Sequence, residues 1–216
     1  MRGWPSGEPR RSGDRTVRAP KTYAAPSRAR GRPRSAEAEQ AILAATVALL
    51  TERGIGGLSV EAVAARAGVA KTTIYRRWPA KEDLVLAAVA AVKGDEPRLP
   101  GESVRSDLLA LVRDISRRNA AGAWPALMTR LIAEADQHPE LYARAWARTI
   151  RPRRQVVQDV LRRGIAEGSL RVDADLDLVT DMLVAPLVSR TRAGRRPLTD
   201  AQLVELVDIL LAGLRP

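Results

Sequence analysis

The sequence predicts an all-α protein, and three of its features lead there. Apolar residues recur at three- and four-residue spacing from about residue 36 onward. No stretch shows the strict alternation that a half-buried strand needs. Capping residues, glycines and prolines punctuate the periodic runs at short intervals, as helix ends do. Ahead of this body lies a basic arm. Residues 1–34 hold ten Lys or Arg and two acids, a net +8 of the formal +11 of the whole chain.

The elements follow in order. Ser35 is placed to cap a first helix over 35–53, with Ala38, Ala41, Ile42, Ala45 and Leu49 at helical spacing, and Gly54, Gly56 and Gly57 end it. Ser59 caps a short second helix, Val60–Ala67. Gly68, Val69 and Ala70 form a tight turn into a third helix over 71–78, which Pro79 stops, and a fourth covers 81–92. The segment 93–102, with Gly94, Pro97, Pro100 and Gly101, is the internal boundary. Beyond it come helices over 103–119 and 124–136, then one opened by His138 and Pro139 that runs to about Glu167 and is kinked or split at Pro152. A helix over 175–192 contains Pro186 as a second kink. Thr199 opens the last helix, with Gln202 completing a capping box and Leu198 stapling to Leu203. The expected organisation is a disordered arm over 1–34, a helical unit over 35–92 and a second helical unit over 93–216.

Composition excludes several function classes. With no Cys and one His, the chain has no disulfide framework, no thiol nucleophile, no Cys-ligated zinc and no multi-His metal site. The longest strongly apolar stretch, 41–50, is too short to span a bilayer, and the N-terminus lacks the apolar core of a signal peptide. The expectation is a cytoplasmic protein with no membrane partner. No phosphate-cradling Gly loop precedes a Lys, and no nucleophile elbow or acid/base constellation is visible, so neither an enzyme nor a bound cofactor is expected. Asp173, Asp175 and Asp177 resemble the start of a calcium loop. Leu178 stands where that loop needs Gly, so they read instead as acids favoured at a helix N-terminus. Arg151, Arg153, Arg154, Arg162 and Arg163 read as a solvated helix face.

Residues 58–78 carry the function. They read as a helix-turn-helix: small Ala64 and Ala65 permit close packing, Gly68 the sharp turn, and Val63, Val69 and Ile74 the lock between the helices. The second helix then presents Lys71, Thr72, Thr73, Tyr75 and Arg76, which suit phosphates and base edges. Folding alone gives no reason to expose two Thr and a Tyr on so short a helix. Just upstream, Arg30-Gly31-Arg32-Pro33-Arg34 resembles an AT-hook core, in which Arg30 and Arg32 enter a narrow minor groove from an extended backbone. A bare solvated tail has the same composition.

Residues 35–92 resemble the DNA-binding domain of the tetracycline-repressor (TetR) family of bacterial regulators. The matching residues are Arg53-Gly54, Leu58-Ser59, Ala64, Ala67-Gly68-Val69, Lys71, Ile74-Tyr75, Trp78, Lys81-Glu82 and Leu84. The resemblance implies that Ser59 and Lys81 meet phosphates at helix N-termini, that Tyr75 bonds a phosphate, and that Lys71, Thr72, Thr73 and Arg76 reach bases. It also implies that Trp78 packs. Ala70 and Ala80 depart from the family pattern, because Ala cannot cap a helix; each loses about 1 kcal/mol.

In that family the C-terminal helices dimerise and enclose an effector. Here Leu176, Val179, Leu183 and Leu187, with Leu203, Leu206, Val207 and Leu210, are expected to pair the last two helices across a two-fold axis. Trp124, Leu127, Met128, Leu131, Tyr142, Trp146 and Ile150 are the candidate walls of a pocket for a largely apolar small molecule. The function implied is a sequence-specific DNA-binding regulator. It is a repressor that two recognition helices hold on a pseudo-palindromic operator and that a small effector releases. The alternative is an architectural DNA-binding protein that uses the arm and has no effector; sequence selectivity separates the two.

Overall fold

The structure is a computed structural model that describes residues 32–94, 97–120 and 122–216. The described residues are helical, with no strand among them. The helices are α1 (Arg32–Arg53), α2 (Val60–Ala67), α3 (Lys71–Tyr75), α4 (Lys81–Lys93), α5 (Val104–Ala120), α6 (Ala123–Ala133), α7 (Pro139–Ala166), α8 (Leu176–Arg192) and α9 (Asp200–Gly213).

Local chemistry explains most of the boundaries. The Ser59 side chain accepts from the Ala62 N–H at 3.1 Å and opens α2. Gly68 ends it at φ +66°, a conformation natural to glycine, with its N–H bonded to the Ala64 carbonyl. Asp175 accepts from the Asp177 and Leu178 N–H groups and opens α8. Thr199 and Gln202 form the full capping box of α9. Ala70 and Ala80 stand at the caps of α3 and α4 with no side-chain bond, as their chemistry requires.

Four expectations change. α1 begins at Arg32, ahead of the expected start at Ser35, so the backbone of Arg32 belongs to the helix and not to an extended arm. Pro33 is compatible with the first turn of a helix, where its missing N–H is one the helix leaves unpaired anyway. Arg30 and the rest of the arm lie outside the described residues. α3 ends at Tyr75, although turn-type bonds from the Arg77 and Trp78 N–H groups to the Ile74 carbonyl carry the chain on to Pro79. Of the kink or split expected at Pro152, the split does not occur, since α7 runs unbroken for 28 residues. His138 holds the cap position of α7, but its side chain makes no capping bond.

Two apolar cores result. One joins α1–α4 to α6 and the first half of α7, through Ile42, Leu50, Ile74, Leu84, Leu127 and Leu141. The other joins α5, the second half of α7, α8 and α9, through Leu108, Leu161, Leu183 and Val207. The N-terminal helices therefore share a core with helices beyond the sequence boundary. Two buried carboxylates of α5 tie the second core together. Asp107 accepts from the Gly101 N–H at 2.7 Å and pairs with Arg163 at 2.6 Å, and Asp114 pairs with Arg117 and Arg118 at 2.6 Å and with Arg153 at 3.5 Å. Arg153, Arg154 and Arg163 are thus partly buried ion-pair partners and not a solvated face; burying a carboxylate requires such a partner. Arg105 and Arg113 grip Asp208 and Asp200 with two bonds each, fixing α9 on α5. Those bonds hold both exposed carboxyls below their usual range.

Candidate nucleic-acid interface and cavity

The short α3 is anchored by one residue. Ile74 is fully buried in the first core, and the turn at Gly68 sets α3 across α2. With Ile74 pointing in, Lys71, Thr72, Tyr75 and Arg76 point outward and Thr73 is half-buried. Tyr75 leaves nearly half of its surface in water, at 47 %, which is unusual for so large a ring on a packed unit. Trp78 is half-buried against the core, in a packing position. Arg77 pairs with Glu39 at 2.8 Å and secures the end of α3 to α1.

Lys71 reaches back to Glu61 on α2 at 3.2 Å. The Glu61 carboxyl is held below its usual range, first by its own backbone N–H and then by Lys71. Two of the residues expected to meet phosphates carry structural bonds too. The Ser59 hydroxyl oxygen is occupied by the cap of α2, which leaves its O–H free to donate. Lys81 donates to the Ile55 carbonyl at 3.3 Å and retains two further donors. Lys71 of α3 thus contacts α2, and Lys81 at the start of α4 contacts the turn between α1 and α2.

Behind this unit lies a cavity of about 760 Å³ between α5, α6, α7 and α8, within the range of small-molecule sites. Trp124, Met128, Leu131, Tyr142, Trp146 and Ile150 line it, and the Tyr142 and Trp146 rings lie 6.1 Å apart. Leu127 does not line it; that side chain is fully buried in the first core, although Leu131, one turn further along α6, reaches both core and cavity. Residues flanking both internal prolines form part of the wall: Thr149 and Arg153 beside Pro152, and Val184, Ala185 and Val188 beside Pro186.

The wall is more polar than sequence reading suggested. Arg118, Asn119, Arg130, Arg153, Arg154 and Asp181 also line it. Arg154 pairs with Asp181 across the α7–α8 seam, and Arg118 and Arg153 both bond the Lys93 carbonyl as well as Asp114. The basic residues of α7 offered the only signal, and they were indistinguishable from a solvated stripe until their neighbours were known.

The residues expected at the dimer seam are mostly inside the chain. Val179, Leu183, Leu187, Leu203, Val207 and Leu210 are all buried in the second core, with Leu176 and Leu206 packed against it. The apolar side chains that α8 and α9 leave in water are Leu178, Met182 and Ile209. Among the described residues no group of acids and His could hold a metal ion, and no helix is long and apolar enough to cross a membrane.

Comparison with known proteins gives a consistent result. Residues 42–88 match the family described as bacterial regulatory proteins, tetR family, and residues 100–210 match the tetracyclin repressor-like C-terminal domain. The chain is 36% identical over 192 residues to the DNA-binding transcriptional repressor TetR of Mycobacteroides abscessus, covering 87% of this chain and 97% of that one. It is 32% identical over 171 residues to an uncharacterized HTH-type transcriptional regulator of Mycobacterium tuberculosis, covering 79% and 84%. A crystal structure of a TetR family transcription regulator, 30% identical, superposes with a TM-score of 0.58 over 83% of this chain and 100% of the other.

Proposed function

The chain belongs to the tetR family of bacterial regulatory proteins and is a helix-turn-helix transcriptional regulator; we propose that it is a homodimeric repressor, released from a pseudo-palindromic operator by a small amphipathic effector. The observation that carries the reading is the pairing of two features. An exposed Lys71, Thr72, Tyr75 and Arg76 face rides on the buried Ile74, and a 760 Å³ cavity lies behind it. An architectural protein has no use for the second. Lys71, Thr72, Thr73 and Arg76 read bases in the major groove, while Ser59, Tyr75 and Lys81 meet phosphates. Arg30 and Arg32 add contacts from the arm side. Such a regulator works in the cytoplasm, where the DNA is.

The functional division places DNA recognition in 35–92 and effector binding and dimerisation in 93–216, with 1–34 as a basic arm. The second copy docks on the exposed Leu178, Met182 and Ile209 of α8 and α9, so that two α3 helices face successive major grooves. The effector has an apolar body for Trp124, Met128, Leu131, Tyr142, Trp146 and Ile150. It also carries oxygen acceptors for the guanidinium donors that interrupt this largely apolar wall.

Selection of duplexes from a random pool by the full chain tests the reading. A pseudo-palindrome is expected to emerge, and a pool without enrichment contradicts it. On the selected duplex, Thr73→Ala is expected to lower preference by roughly 1–3 kcal/mol and to leave binding to random DNA within about twofold. An equal loss on both in a binding titration would remove Thr73 from base reading. Deleting residues 1–31 is expected to flatten the salt dependence of binding, since each lost phosphate contact lowers the slope. An unchanged slope would mean that the arm does not touch DNA.

A further inference from the structure

One carboxylate joins the cavity wall to the DNA-reading unit. Glu134 sits at the C-terminal end of α6, largely shielded from water, and reaches across to the turn between α1 and α2, 79 residues away in sequence. Its Oε2 accepts the Ile55 N–H at 2.7 Å. The Ile55 carbonyl accepts from Lys81 at 3.3 Å, so residue 55 is gripped by Glu134 on one side and by the first residue of α4 on the other. The approach is close enough to dictate the neighbouring residue. Gly54 has φ +73°, and a Cβ there would stand 1.9 Å from Glu134 Oε1.

The same carboxylate has a partner in the cavity. Arg130 lines the cavity one helical turn before Glu134, and its Nε lies 2.9 Å from Oε1. That pair is close but not aligned for hydrogen bonding: the buried Nε–H donates to no acceptor among the described residues. An acceptor oxygen of a cavity occupant offers this N–H a better-aligned partner than Glu134 does. We propose that Glu134 is a positioning residue that couples the cavity to the DNA-reading face: it holds the α1–α2 turn through Ile55, and an occupant that draws Arg130 away loosens that hold. The proposal rests on the repressor reading above and assigns it a route, namely Arg130 to Glu134 to Ile55, with Lys81 and the start of α2 beyond. The element with two arrangements is the α1–α2 turn, gripped or released, and such an element is what coupling between sites requires.

The test uses the full chain and the duplex that the wild type selects. Glu134→Ala removes the grip. It is expected to speed hydrogen exchange at the Ile55 amide at least tenfold and to weaken operator binding about tenfold. Glu134→Gln keeps an oxygen for Ile55 and is expected to stay within about threefold of wild type in both. Arg130→Met mimics withdrawal of Arg130 and is expected to shift both readouts in the direction of Glu134→Ala, by less. Leu108→Ala, fully buried in the second core and away from the carboxylate, separates coupling from lost stability, and is expected to bind the operator normally per folded molecule. Operator affinity within twofold of wild type in Glu134→Ala overturns the proposal, even if Ile55 exchanges faster. So does an equal affinity loss in Leu108→Ala. A wild-type chain that selects no duplex overturns the repressor reading itself, and that outcome is seen before any variant is made.

Discussion

Replacing Met182 and Ile209 together by Glu is expected to leave the chain monomeric and to weaken operator binding about a hundredfold or more. Both side chains are mostly in water in the single chain, at 55 % and 65 % exposure, so the substitutions cost the monomer little. In a two-fold interface each appears twice, and four carboxylates would have to be buried without partners. A monomer presents one recognition helix, and losing the second half-site forfeits the gain of linked binding, which is commonly a hundredfold or more. Sedimentation velocity reads the mass, and a thermal melt close to wild type shows that the fold is intact. A dimer of unchanged mass would move the interface away from α8 and α9. Leu183→Glu would give no such information. Leu183 has no exposed surface, and a charge there would unfold the chain before it could separate two copies.

Leu127→Ala is expected to lower stability by about 2–5 kcal/mol, a large part of the total for a domain of this size. Leu127 is fully buried where α6 joins α1–α4, so the truncation removes core contacts. Trp146→Ala, by contrast, removes a partly exposed residue of the cavity wall. It is expected to cost less stability and to change what the cavity accepts. Chemical denaturation of both variants checks the ordering. A smaller loss for Leu127→Ala than for Trp146→Ala would reverse the assignment of Leu127 to the core and Trp146 to the wall.

These two cases also mark how far the sequence could be read. Signals that act within a few residues were legible. Ser59 and Asp175 open their helices, Gly68 makes its turn, Thr199 and Gln202 form their box, and Lys71, Tyr75 and Arg76 stand on an exposed face. What failed was the choice between faces. α8 carries two apolar stripes, with Val179, Leu183 and Leu187 turned inward and Leu178 and Met182 outward. Periodicity reports that a stripe exists, not whether this chain or a second copy covers it. Leu127 and Met128 are adjacent core residues on α6, yet only Met128 also reaches the cavity. Arg151 and Arg162 are exposed, but Arg153, Arg154 and Arg163 looked solvated only because their partners, Asp114, Asp181 and Asp107, come from other helices. Glu134 left no trace in the sequence, since its partner at Ile55 is brought near only by the fold.

The most direct measurement of the central claim is a binding titration of the purified full-length chain on its selected duplex and on a base-scrambled duplex of equal length, at two salt concentrations. A sequence-specific repressor is expected to prefer the selected duplex by about a thousandfold or more. Binding to the scrambled duplex is expected to carry the ordinary steep salt dependence of phosphate contacts. Equal, salt-sensitive affinity for both duplexes would contradict the account and leave the α3 face as a phosphate-binding surface without base reading.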